Sequence, residues 1–167
     1  MQATGSLEQA DMPSIDLSEL NTFIVRAKAA TYVGGGEHSA ASRLASHDIR
    51  YADGEWAYHD SYFGGSDFIG EEIVYLADHP IWAMNYYGRI LRADLLTAEQ
   101  AGQIIKASLS LMYKENRFLG GFKFTENNFT YLDDSEGNAD CFHGHELIYC
   151  GGEIAYELLY HGGLIKD

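Results

Sequence analysis

Basic residues, cysteines and long apolar runs are all scarce in this sequence. Of its 167 residues only 11 are Lys or Arg, against 25 Asp or Glu, so the formal net charge is −14. Nucleic-acid phosphates are bound by a footprint of Lys and Arg, so the shortage of cations argues against nucleic-acid partners. No apolar run approaches the ~20 residues of a membrane helix, and we expect no membrane association.

The two cysteines are expected to be free thiols. Cys141 and Cys150 lie at opposite ends of one predicted strand, and at ~3.3 Å per residue they are about 30 Å apart, beyond the ~7 Å limit for a disulfide. Free thiols are typical of a reducing compartment. Residues 1–15 lack the basic and apolar regions of a secretory signal and are predicted to form a flexible lead-in. These features favour the cytoplasm.

The remaining composition is that of a globular protein, with 46% hydrophobic and 22% charged residues. A chain of ~150 residues buries about 70% of its unfolded surface, so we predict a single domain over residues 16–167. Two helices are predicted, over 16–30 and 97–114. Asp16 and Thr97 can cap them, because each is followed three residues later by Glu or Gln, and an apolar stripe runs along each.

The other segments alternate with the period of strands. Residues 31–46 are rich in Gly and Ser and predict a long loop. A hairpin follows, in which Asp53-Gly54 would form the turn, so that Tyr51 pairs with Trp56 and His47 with Asp60. Further antiparallel pairs are predicted within 71–88, with a tight connection at 77–80, and within 122–132, with Asn127-Asn128 as the turn.

The last hairpin is predicted to turn at Gly151-Gly152. In that register His143 and His145 share an apolar face with Leu147, while Glu146 lies opposite Glu157. We find no internal repeat in the sequence. The pattern as a whole predicts an α+β fold, with a mainly antiparallel sheet of about six to eight strands and two principal helices.

Three local patterns could carry chemistry. His143 and His145 would lie ~6.6 Å apart on one side of a strand, a spacing that lets two imidazoles hold a divalent metal.

Glu146 opposite Glu157 is the second pattern. Like charges across a strand pair destabilise the pair, so solvent, a cation or a raised pKa of one carboxyl would have to offset the repulsion between Glu146 and Glu157. Such a carboxyl pair could act in acid–base catalysis.

His47 opposite Asp60 resembles a base with its orienting carboxylate. Each of the three patterns also has a structural reading, as hydrogen-bonded core histidines, a solvated face or a stabilising cross-strand pair.

The abundance of aromatic side chains indicates a ligand pocket. The sequence has 12 Tyr, 2 Trp and 7 His, and rings with polar tips can both stack on and hydrogen-bond a small polar molecule. No cofactor is predicted, and a divalent metal is the alternative occupant. The predicted ligand-binding residues are His47, Asp60, Tyr62, Trp82, Asn85, Tyr86, His143 and His145.

Several ordered segments resemble a known family. SHDIRYADGEWAYHDSYFGG (46–65), FIGEE (68–72), WAMNYYGR (82–89) and YELLYHGG (156–163) are similar to an uncharacterised bacterial domain family, found alone or behind a Cro/repressor-type helix-turn-helix. The resemblance covers roughly residues 20–165. It implies a cytoplasmic domain of unknown function and, by analogy with the fused forms, effector sensing. About 20 residues precede the resembling region, too few for a helix-turn-helix of its own.

Three functional hypotheses follow from the sequence. The first is a small-molecule (effector) binding domain whose pocket the strands build and the 31–46 loop covers. The second is a metal-assisted hydrolase or lyase with His143 and His145 as ligands and Glu146 or Glu157 as general base. The third is a protein-interaction module or homodimer, using exposed strand edges and aromatic surface. Whether the protein is an enzyme stays open at this stage.

Overall fold

A computed structural model describes residues 15–36 and 38–166 of the chain. Residues 1–14 of the predicted lead-in lie outside the described residues. The elements in chain order are α1 (Leu17–Lys28), a π-helical turn (Ala29–Val33), β1 (His38–Ser39), β2 (His47–Asp53), β3 (Trp56–Gly64), β4 (Phe68–Leu76), β5 (His79–Ile90), α2 (Ala98–Lys114), β6 (Phe122–Glu126), β7 (Phe129–Asn138), β8 (Cys141–Cys150) and β9 (Glu153–Leu164).

The strands form one antiparallel sheet in the order β1-β2-β3-β4-β5-β9-β8-β7-β6. This confirms the predicted α+β class, although the described strands number nine rather than six to eight. The unpredicted ninth strand is β1, a two-residue strand inside the segment 31–46 that was predicted to be loop. Such a short edge strand carries no periodicity that a sequence pattern could reveal.

Both helices begin where the capping residues indicate. The Asp16 carboxylate accepts hydrogen bonds from the backbone N–H groups of Ser18 and Glu19. The Thr97 hydroxyl accepts one from Gln100 N–H, and the Gln100 side chain accepts one from Thr97 N–H, completing a capping box. These bonds satisfy backbone donors that would otherwise lack a partner in the first turn.

The first hairpin has a different register from the predicted one. Its turn is Gly54-Glu55, because Gly54 takes the positive φ of +61° at the first central position. Tyr51 therefore pairs with Tyr58 instead of Trp56. The predicted His47–Asp60 pair is wrong, since His47 lies opposite Tyr62 and Asp60 opposite Ile49.

The last hairpin turns at Gly151-Gly152 as predicted, but its register changes after two pairs, Cys150–Glu153 and Tyr149–Ile154. An irregularity at Ile148/Tyr149 shifts the pairing by one residue, so that Glu146 lies opposite Leu158 and not Glu157. Such a bulge changes which face the following side chains occupy. Glu146 lies on the opposite face from His143 and His145, as alternation along one strand predicts. Contrary to the prediction, the face turned towards the helices is that of Glu146 and not that of the two histidines.

The chain is built from two matching halves, although no repeat was predicted. Each half is a capped helix followed by two hairpins, β2–β5 in the first half and β6–β9 in the second. The first hairpins turn at Gly54-Glu55 and Asn127-Asn128, and the second at Ala77-Asp78 and Gly151-Gly152. The second hairpin of each half also has an irregularity at corresponding positions, Val74/Tyr75 and Ile148/Tyr149.

The halves meet at β5 and β9 in an approximately two-fold arrangement. Tyr86 on β5 and the corresponding Tyr160 on β9 lie directly opposite each other. Trp82 pairs with Leu164, and Ile90 pairs with Tyr156, the residue that corresponds to Trp82. The two-fold axis therefore passes between Tyr86 and Tyr160, roughly normal to the sheet.

The helices pack on one face of this sheet and enclose the apolar core. Leu20, Phe23 and Ile24 of α1 and Ile104 and Ile105 of α2 are buried against the strands. In the part of the chain that the structure describes, neither helix has the length and apolar character needed to cross a membrane.

Candidate functional site

A cavity of about 290 Å³ lies between the helices and the sheet, at the two-fold axis. Both halves contribute to its walls, which combine apolar side chains with four carboxylates and one ammonium group. The charged lining residues are Lys28, Asp60, Glu72, Asp133 and Glu146. Tyrosines and apolar residues complete the walls: Tyr32, Ile49, Tyr62, Phe68, Met84, Tyr86, Ile90, Ile105, Leu109, Met112, Tyr113, Phe118, Tyr156, Leu158 and Tyr160.

In the first half, two carboxylates lie side by side on neighbouring strands. Asp60 on β3 pairs in register with Glu72 on β4. The Tyr86 hydroxyl donates to Asp60 Oδ1 at 2.6 Å, and Lys28 Nζ at the end of α1 donates to Glu72 Oε1 at 2.7 Å. The Lys28 and Glu72 side chains are both only 9% exposed, so a nearly buried ion pair neutralises one carboxylate of this half.

The second half repeats the carboxylates and the tyrosine without the lysine. Asp133 on β7 pairs in register with Glu146 on β8, and the Tyr160 hydroxyl donates to Asp133 Oδ1 at 2.6 Å. Leu109 of α2 also lines the cavity. Among the described residues, no Lys, Arg or His forms an ion pair with Glu146 or Asp133.

Two glycines allow the tyrosines to reach their carboxylates. Tyr86 lies across Gly70, where an added Cβ would be 2.3 Å from the Tyr86 hydroxyl oxygen. Tyr160 lies across Gly144 in the same way, and a Cβ there would be 2.1 Å from Cζ of the Tyr160 ring. Any larger residue at either position would displace the ring, so glycine fixes the path of both hydrogen bonds.

Three of the cavity carboxyls hold their protons more tightly than usual. Burial, followed by repulsion from Glu72, raises the pKa of Asp60 to about 7. Burial also raises the pKa of Asp133 to about 6. Burial and the nearby Asp133 carboxylate raise the pKa of Glu146 to about 8. The site therefore holds more carboxylate than its own cations can neutralise.

Asp48, on the opposite face of the sheet, is a buried carboxylate whose oxygens accept several hydrogen bonds from the protein. Burial alone would raise its pKa, but hydrogen bonds from Ser42, Ser46 and His59 outweigh that effect and hold the pKa well below its usual range. His59 Nε2 lies 2.6 Å from Asp48 Oδ2, and Ser61 Oγ donates to Oδ1 at 3.1 Å. The cavity carboxyls lack such a shell of donors.

Polar atoms without partners face the same cavity. Asp133 and Tyr156 are 4% and 1% exposed, both line the cavity, and Asp133 Oδ2 and the Tyr156 hydroxyl have no hydrogen-bond partner among the described residues. A buried polar atom left unpaired costs free energy. Asp133 and Tyr156 thus each carry an unpaired polar atom within the wall of the cavity.

Three of the eight residues predicted to bind a ligand line this cavity: Asp60, Tyr62 and Tyr86. Trp82 instead lies in the core, stacked on Phe142 with ring centroids 5.7 Å apart, and its indole N–H donates to the Ala139 carbonyl at 3.0 Å. Asn85 is exposed on the opposite face of the sheet, because it alternates with Tyr86 along β5.

The predicted histidines do not line the cavity. His47 is exposed and packs against Tyr62, with ring centroids 5.0 Å apart. The side chains of His143 and His145 are 71% and 40% exposed on the opposite face of the sheet from Glu146. Within residues 15–36 and 38–166, no group of three or more His, Cys, Asp or Glu is arranged to hold a metal ion. The predicted metal centre with Glu146 as base is thus not assembled.

Sequence reasoning missed Lys28, Glu72 and Asp133 as site residues, and considered Glu146 only in a carboxyl pair with Glu157 or as a base beside a metal. One signal was available. The pattern Gly-x-Glu occurs at Gly70–Glu72 and Gly144–Glu146, each two residues after a Phe and followed by a strand turn. Aligning these two segments would have revealed the repeat and with it the paired carboxylates.

The chain matches a known family model. The family model described as "Domain of unknown function (DUF5680)" matches residues 60–165, more than half of the chain. The matched region runs from β3 to β9 and contains all four cavity carboxylates, whereas α1 with Lys28 precedes it. No curated protein and no solved structure matches the chain.

Proposed function

Because the chain belongs to the DUF5680 family, a domain of unknown function, we propose its function from the cavity: the protein binds a small molecule that has a cationic amine and an apolar body. Binding of this kind is what an effector-binding domain requires. The observation that carries the proposal is the Asp133–Glu146 pair, which faces the cavity without a cation of its own.

Charge favours a cationic ligand. Four carboxyl groups line the cavity, and the ammonium of Lys28 forms its ion pair with Glu72, while it acts on Glu146 and Asp60 only through longer-range attraction. An enclosed carboxylate without a partner is costly, and the cost falls when a cation with hydrogen-bond donors approaches it. A ligand ammonium next to Glu146 and Asp133 would provide both the charge and the donors.

Shape and polarity favour a small ligand with an apolar part. The cavity volume of about 290 Å³ is at the lower end of the range of small-molecule pockets. Ile105, Leu109 and Met112 of α2 form its helical wall, and Met84 and Leu158 of the sheet face them. These side chains can bury a hydrocarbon chain or ring, at a gain of roughly 0.8 kcal/mol per CH₂ group.

Isothermal titration calorimetry at pH 7.5 tests the proposal with three probes of equal chain length. Hexylamine should bind, whereas hexanol and hexanoate should bind at least tenfold more weakly, because only the amine neutralises a carboxylate. Glu146→Gln should weaken hexylamine binding at least tenfold. The matched control is Glu136→Gln, which removes an exposed carboxylate on β7 and should leave the affinity unchanged.

The protons held by the cavity carboxyls give a second readout. Binding of a cation lowers the pKa values of Asp60, Asp133 and Glu146, so protons should be released at pH 7. Titrations in two buffers with different ionisation enthalpies measure that release. Equal affinity for hexylamine and hexanol, or binding of Mg²⁺ or Ca²⁺ with no binding of the amine, would overturn the proposal.

A further inference from the structure

We propose that Lys28 sets the number of cationic groups that the ligand can carry: its ammonium fills one of two equivalent anionic sites, so the cavity accepts one ligand ammonium rather than two. This inference rests on the proposed function. It concerns the specificity of the cavity, and the two anionic sites are the Asp60–Glu72 pair and the Asp133–Glu146 pair.

The two anionic sites have the same residue types in the same arrangement. Each consists of an Asp and a Glu paired across two neighbouring strands. In each, a tyrosine from the next strand crosses a glycine and donates to the Asp at 2.6 Å. The tyrosines themselves, Tyr86 and Tyr160, are directly paired at the two-fold axis. A cation that fits one site therefore has a counterpart position in the other.

The helices supply the difference between the sites. Lys28 and Leu109 lie the same number of residues after the N-caps Asp16 and Thr97, and both line the cavity. Their surroundings also correspond, since Tyr32 and Tyr113, four residues further on, line the cavity as well. A lysine thus reaches Glu72 from α1, whereas α2 carries a leucine at the equivalent position.

This difference would make the cavity selective against diamines. One end of a diamine could bind at Glu146, but its second ammonium would have to approach Glu72, where the Lys28 ammonium is 2.7 Å from the carboxylate oxygen. Two like charges a few ångströms apart in a largely apolar cavity repel each other. A monoamine avoids this repulsion and places only apolar atoms towards the first half of the cavity.

The test replaces Lys28 with the residue that stands in the other half. Wild-type protein should bind hexylamine at least tenfold more tightly than 1,6-diaminohexane, measured by calorimetry at pH 7.5. Lys28→Leu should reverse this preference, with a gain of at least tenfold for the diamine, because both anionic sites are then open. Circular dichroism and urea unfolding, with and without diamine, check that the variant is folded.

A reciprocal variant keeps the test decisive if Lys28→Leu does not fold. Leu109→Lys places an ammonium at the position equivalent to Lys28, so hexylamine affinity should fall at least tenfold. Leu109→Met is the matched control and should bind hexylamine as wild type does.

The outcomes separate the two proposals. Absence of hexylamine binding to wild type would refute the proposed function itself. Binding of hexylamine by wild type, together with an unchanged preference in Lys28→Leu or an unchanged affinity in Leu109→Lys, would overturn only the role of Lys28.

Discussion

The two halves of this protein have the same architecture and differ in how they treat their buried carboxylates. In the first half Lys28 neutralises Glu72, whereas in the second half Leu109 takes the corresponding position and Glu146 keeps a raised pKa. The comparison shows that a symmetric scaffold can hold an asymmetric site through one helical substitution. In the first half one carboxyl is paired with an ammonium group, whereas in the second half no described Lys, Arg or His forms an ion pair with either carboxyl.

The largest effect should come from removing the internal cation. Lys28→Met leaves Glu72 enclosed without a partner, and breaking one side of a buried ion pair costs about 3–5 kcal/mol. Leu109→Met, at the equivalent position of the second half, should cost less than about 1.5 kcal/mol, because it exchanges apolar side chains of similar volume. Urea denaturation at pH 7 measures both free energies of unfolding, and equal losses would contradict the asymmetry.

The crossing glycines should show the symmetry of the scaffold. Gly70→Ala and Gly144→Ala each place a methyl group against a tyrosine ring, and overpacking of this kind costs about 1–3 kcal/mol. Both variants should therefore lose similar stability in thermal or urea unfolding. Gly102→Ala is the control on α2, where an added Cβ meets no atom within 4 Å. That change should stabilise the helix by up to about 1 kcal/mol.

The pH dependence of stability should sharpen the comparison further. Asp60, Asp133 and Glu146 have pKa values of about 7, 6 and 8 in the folded protein, against about 4 in an unfolded chain. Between about pH 4 and pH 8 the folded state therefore binds more protons than the unfolded state. Its free energy of unfolding should fall as the pH rises through this window.

Glu146→Gln should flatten the upper part of that fall, since the amide does not titrate, whereas the exposed-site control Glu136→Gln should leave the profile unchanged. Urea unfolding at half-unit steps from pH 4 to pH 8.5 gives the slope. A wild-type stability that rises steadily over this range would contradict the raised pKa values.

Much of the fold could be predicted from local pattern. The caps Asp16 and Thr97, the apolar stripes of both helices and the turn at Gly151-Gly152 are all signals that nearby residues determine, and the structure confirms them. The register errors arose where a difference of one residue, in the position of a turn or within a strand, changes which residues pair. Choosing Asp53-Gly54 rather than Gly54-Glu55 shifted one hairpin, and the irregularity at Ile148/Tyr149 shifted the other.

The irregularity at Ile148/Tyr149 is the reason why the site was predicted on the wrong face of the sheet. Because side chains alternate along a strand, a shift of one residue exchanges the two faces. The extra residue at Ala155 of β9 places Tyr156, Leu158 and Tyr160 on the same face as Glu146, so the face of β8 that carries Glu146, and not the face of His143 and His145, lines the cavity. The Lys28–Glu72 ion pair joins residues far apart in the sequence, so no local pattern could have revealed it. The internal repeat would have revealed the paired carboxyls but not this ion pair, because Leu109 stands at the position equivalent to Lys28.

The smallest predicted effect compares the two helix caps. Asp16→Ala and Thr97→Ala each remove a side chain that accepts backbone hydrogen bonds in the first turn, and loss of such a cap costs about 1 kcal/mol. The caps stand at equivalent positions, so urea unfolding should give similar losses for the two variants. Thr97→Ser, which keeps the hydroxyl, should remain close to wild type. A large loss from Asp16→Ala alone would mean that α1, which carries Lys28, depends on its cap more than α2 does.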